Sequence, residues 1–143
     1  MAIIFFVMGF CTLSFAQQIR FRVVSWNVEN LFDIHHDSLK NDREFLPDAL
    51  RHWNYTRYKK KLTDMARVIT AVGEWEPPAL VGLCEVENDT VLRDLTRRSP
   101  LKELNYRYVM TDSPDLRGID VALLYQRAVS YTHLRAHETL RHL

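Results

Sequence analysis

A chain of 143 residues, with 19 Lys and Arg against 18 Asp and Glu and a formal net charge of +1, suits one domain and excludes a two-domain enzyme. At 47% hydrophobic and 26% charged it is neither disordered nor collagen-like. The near-neutral balance excludes tight, non-specific nucleic-acid binding driven by charge alone.

Residues 1–16 contain no charged side chain and end Ser14-Phe15-Ala16 before Gln17-Gln18. The stretch is shorter than the ~20 apolar residues a membrane span needs, and small residues stand where a signal peptidase reads. It is read as a signal peptide cleaved after Ala16, so the mature protein is expected to be exported, periplasmic or extracellular. Cleavage removes Cys11 and leaves Cys84 alone, without an internal disulfide partner; Cys84 is read as a small core residue.

Residues 21–26 (Phe-Arg-Val-Val-Ser-Trp) are β-branched and aromatic and predict a strand. It is expected to stop at Asn27-Val28-Glu29-Asn30, a polar run. Residues 31–45 predict a solvated loop, in which the adjacent His35 and His36 point apart and are not expected to grip one ion. The spacing of Leu62, Met65, Ala66, Ile69 and Val72 predicts one apolar stripe on a helix over residues 48–72. Lys59, Lys60 and Lys61 fan around that helix and are read as a solvated face; Gly73 and Pro77-Pro78 close it. Residues 80–84 (Leu-Val-Gly-Leu-Cys) predict an interior strand buried on both faces, ending at Glu85-Val86-Glu87-Asn88. Asp89 is expected to cap a helix over residues 90–97, and residues 106–111 and 119–125 predict two more strands joined by a loop that holds Pro114 and Gly118.

Strand, long helix, strand predicts a right-handed βαβ unit with parallel strands. Asn27 follows the first strand and Glu85 the second, so both are expected at the carboxyl edge of the sheet, where α/β proteins bind ligands. A carboxylate beside a carboxamide suits a hard cation: Mg²⁺ takes oxygen ligands and often needs only one or two carboxylates besides water and substrate phosphate. Strand-end capping alone is the competing reading of the same two residues.

Ser25-Trp26-Asn27-Val28-Glu29-Asn30, then Gly82-Leu83-Cys84-Glu85-Val86-Glu87-Asn88, then Arg117-Gly118-Ile119-Asp120-Val121-Ala122-Leu123-Leu124-Tyr125 together resemble the endonuclease/exonuclease/phosphatase superfamily. The resemblance runs from about residue 20 to residue 127. It implies an α/β fold, the front half of a four-layer sandwich in which two packed β-sheets are flanked by helices. It also implies an exported, metal-dependent phosphoester hydrolase of phosphodiesterase or nuclease type, using Mg²⁺, or Mn²⁺ or Ca²⁺ in its place. By position, Asn27 corresponds to the active-site asparagine and a metal-site residue, Glu85 to the metal-binding glutamate and Arg117 to a catalytic residue near the phosphate; Glu29 corresponds more weakly. The resemblance leaves nucleic acid and phospholipid head groups both open as the phosphate-ester substrate; no stable protein partner is implied, and a monomer is expected. A non-catalytic module that binds a phosphorylated ligand on the same fold is the alternative.

The superfamily's later Asn-x-His, Gly-Asp-x-Asn and terminal Asp-His motifs do not occur in residues 1–128. Residues 17–128 are therefore read as a partial domain, inactive alone, whose isolated half-sheet would expose an apolar face. Residues 129–139 (Val-Ser-Tyr-Thr-His-Leu-Arg-Ala-His-Glu-Thr) resemble the translation of a transposase-type sequencing adapter, and 129–143 are read as an artefact. His133, His137, Glu138 and His142 are accordingly not read as a zinc site.

Overall fold

The computed structural model describes residues 21–126. The expected signal peptide at 1–16, with Cys11, and the segment 129–143, with its histidines, lie outside the described residues. The elements run β1 (Val23–Leu31), α1 (Tyr55–Gly73), β2 (Leu80–Val86), α2 (Asp89–Arg97), β3 (Arg107–Met110) and β4 (Asp120–Tyr125), with short 3₁₀ turns at Arg43–Phe45 and Pro100–Leu104. The four strands form one mixed sheet in the order β1-β2-β4-β3. β1 and β2 are parallel, as the crossover through α1 requires, and β4 is antiparallel to both β2 and β3.

Both helices and the second 3₁₀ turn pack on one face of this sheet. Tyr58, Leu62, Met65, Ala66 and Ile69 of α1 meet Val81 and Leu83 of β2, Ala122 and Leu124 of β4, and Val91, Leu92 and Leu95 of α2 in one core. Burying a side chain of this size stabilises the fold by about 1.5–3 kcal/mol. The opposite face carries Val23, Val109, Val121 and Leu123, all solvent-exposed. One sheet and one helical layer are thus present among the described residues, an α/β arrangement; a second sheet is not among them. The expected apolar open face is present.

Several boundaries differ from expectation, each for a local reason. α1 starts at Tyr55 because the Asn54 side chain accepts a hydrogen bond from Arg57 N and caps it; residues 48–52 form turns instead. Val72 is exposed, and Gly73, the last helical residue, takes its place in the buried stripe. A Cβ on Gly73 would stand 3.0 Å from Pro78 Cδ, so this glycine permits a close approach, while Glu74 takes the positive φ of 55°. α2 is capped by Asn88, whose side chain accepts from Val91 N at 3.0 Å, and Asp89 lies in its first turn. β2 is fully buried on one face only: Val81 and Leu83 are at 0% exposure, while Leu80, Gly82 and Cys84 are half-buried on the open side. Cys84 is therefore not a core residue.

Candidate active site

The largest difference from the sequence reading is also what builds the site. β1 does not stop at Asn27; it continues to Leu31 and pairs again with Val86. Between Asn27 and Leu31 the register shifts, and Glu29 and Asn30 take positive φ of 54° and 59°. On β2, Cys84 and Val86 face Val121 and Asp120 of β4, which leaves Glu85 as the extra residue, at a φ of 66°. Two β-bulges thus lie side by side at the carboxyl ends of the parallel strands. A bulge re-aims the side chain it carries, and left-handed backbone at residues other than glycine costs energy that surrounding contacts must offset.

Those contacts are specific. Asn27 Nδ2 donates to Glu85 Oε1 at 3.0 Å, and Asn27 Oδ1 accepts from Glu29 N at 2.8 Å in an Asx turn. Asn30 N donates to Glu85 Oε2 at 2.9 Å. Both Glu85 oxygens are thereby oriented, and each retains a lone pair. The sequence-predicted pair, Asn27 and Glu85, is brought together across 58 positions of chain.

Arg117 does not join them. It lies in the loop before β4, its backbone N–H and guanidinium both turned to Asp115. Glu29 is at the bulge, where its backbone rather than its side chain makes the bonds on view. The His36 ring pairs with the buried Asp42, and the backbone N–H of His35 donates to Asp33 Oδ1.

Three groups escaped the sequence reading. Lys61, assigned to a solvated face, is half-buried: its ammonium donates to the carbonyls of Glu29 at 2.6 Å and Asn30 at 3.2 Å, and stands 5.6 Å from the Trp53 ring centroid. Burial lowers its pKa, against the pull of the Glu29 and Glu85 carboxylates. A signal was present, since Lys61 stands beside Leu62 and three positions after Tyr58, on the flank of the apolar stripe. The other two groups are Glu87 and Asn88, which tie the end of β2 to the following loop. Glu87 Oε2 accepts from Asp33 N, and Asn88 Nδ2 donates to Asp33 Oδ2. Burial, then the carboxylates of Asp33, Asp42 and Asp37, push Glu87 up to about 8, although the Asp33 N–H bond works in the other direction. Beside it opens a cavity of about 260 Å³ lined by Glu87, Asn88, Asp120, Lys40 and Thr111.

The family model described as endonuclease/exonuclease/phosphatase family matches residues 22–141. The chain belongs to this family. Its match spans β1, both bulges and β4, and so includes all three sequence motifs. Neither the curated proteins nor the solved structures gave a match. Membership of the endonuclease/exonuclease/phosphatase family fits phosphoester hydrolysis as the general chemistry.

Among the described residues no group of three His, Cys, Asp or Glu converges. Glu85, with both oxygens oriented and lone pairs left over, fits a hard cation that keeps most of its water. It does not fit a closed, all-protein cage.

Proposed function

We propose that the protein is an exported, divalent-metal-dependent hydrolase of phosphodiesters. The observation that carries this reading is the Asn27–Glu85 hydrogen bond at the carboxyl edge of the parallel strand pair. Glu85 would hold the ion, Mg²⁺ by preference for oxygen donors, with Mn²⁺ or Ca²⁺ as substitutes. The bound ion would polarise a phosphoryl oxygen and offset charge that develops there. Asn27 keeps the Glu85 carboxylate fixed before substrate arrives, so no reorganisation is needed at the moment of reaction. Arg117, exposed on its loop, would contact the phosphate once it leaves Asp115; a guanidinium presents a planar fork to phosphate oxygens. Nucleic acid and phospholipid head groups are both substrates of the required chemistry. Among residues 21–126 the partners of the Glu85 carboxylate are Asn27 and the Asn30 backbone, and no histidine stands with them as a general base.

The test is a calorimetric titration of the chain with Mn²⁺. Glu85→Gln is expected to weaken binding about 100-fold, because a carboxamide replaces the charged ligand that the described residues offer. Equal affinity in the two proteins would end the metal reading.

A further inference from the structure

Lys61 is placed where a solvated helix residue has no reason to be. Its ammonium reaches from α1 onto the two carbonyls, of Glu29 and Asn30, that the β1 bulge turns away from the ladder. These belong to the two residues with positive φ in β1, and the N–H of Asn30 is the donor to Glu85 Oε2. Trp53 completes the arrangement: its ring flanks the Lys61 ammonium, and its Nε1 donates to the next available carbonyl, Phe32 O, at 3.0 Å. Lys60 and Lys59, its neighbours, pair instead with Asp64 and the Tyr55 ring. A charge-assisted bond to a carbonyl is stronger than a neutral one, and half-burial strengthens it further.

We infer that Lys61 is a positioning residue for Glu85: by holding the Glu29 and Asn30 carbonyls it fixes the bulge whose Asn30 N–H orients the carboxylate. The inference rests on Glu85 as the metal ligand, and it extends that reading to a residue that touches neither ion nor substrate. Outer groups that orient a ligand typically govern about 10–100-fold in metal affinity.

The experiment uses the full chain and two readouts: amide hydrogen exchange without metal, and Mn²⁺ affinity by titration. Lys61→Met, which keeps the stem and removes the charge, should speed exchange at the Glu29 and Asn30 amides about tenfold while Val81 and Leu83 keep their rates. Its Mn²⁺ affinity should fall about 10–100-fold. Lys61→Arg should restore most of both, and Lys60→Met should change neither. Unaltered exchange at Asn30 overturns the inference whatever the metal does. So does acceleration spread equally through β2, which would make Lys61 a prop of the fold, and so does a local change in exchange with Mn²⁺ affinity intact. If the unmutated chain binds no Mn²⁺ and the local exchange effect is present, the metal reading fails while the placement of Glu85 by Lys61 stands.

Discussion

Leu123 and Leu124 are neighbours on β4, yet Leu124 is fully buried beneath the helices and Leu123 is 36% exposed on the other face of the same sheet. Side chains alternate along a strand, so each strand here serves two environments at once. On the helix side, Val81, Leu83, Ala122 and Leu124 interlock with α1 and α2. On the open side, Val23, Val109, Val121 and Leu123 face solvent, with Val109 and Leu123 paired across β3 and β4, exposed apolar surface of the kind that marks an interaction site. The contrast teaches that β2 and β4 carry apolar side chains on both faces, of which the described residues cover one. Asn27 and Cys84 are register partners on the open side, so the site stands at the rim of that uncovered face.

The largest effect expected to test this contrast is a matched pair of truncations. Leu124→Ala should cost about 3 kcal/mol and Leu123→Ala under about 1 kcal/mol, read from urea unfolding midpoints. Similar losses at both positions would break the comparison and show that the open face is covered in solution.

Glu87 asks whether the rim of the helix-covered side is as dry as its centre. Its folded pKa is raised, so the unfolded chain gives up this proton first as pH rises. The associated stability is therefore full below its ordinary value of 4.5 and is lost by about pH 8. Glu87→Gln should flatten that decline and leave the protein more stable than wild type at pH 8, by on the order of 1 kcal/mol after solvent screening, with little difference at pH 4. Parallel pH profiles of unfolding for the two proteins would show a wet rim.

A milder probe acts on the covering layer itself. Asn54→Ala removes the cap of α1 and should cost about 1 kcal/mol, seen as a lower thermal midpoint. The smallest effect belongs to the open face: Val121→Thr should change stability by no more than about 0.5 kcal/mol while reducing light scattering of concentrated protein.

How much of this was legible follows from which signals are local. The stripe Leu62, Met65, Ala66, Ile69 announced α1, and the βαβ order announced the parallel pair that brings Asn27 to Glu85. The bulges were not legible, because Glu29, Asn30 and Glu85 look like strand terminators and only their partners across the sheet show that pairing resumes at Leu31 and Val86. Lys61 was misread for a related reason. Its two acceptors are backbone carbonyls, which every residue possesses and no sequence advertises. Asn88 displaced Asp89 as the cap of α2 by one position, a shift that only backbone geometry decides.

The bond between Asn27 and Glu85 spans 58 positions and depends on β1 meeting β2 in parallel, with α1 already laid between them. By contrast, the β3–β4 hairpin pairs residues much nearer in the chain, from Met110 with Ala122 to Arg107 with Tyr125. Loop-closure entropy makes the distant pairing the slower event, so the site is expected to arise late in folding, after the hairpin and the helices have taken shape. A probe at Asn27 would then time the completion of the fold, because no partly folded chain can present the carboxylate and its amide together.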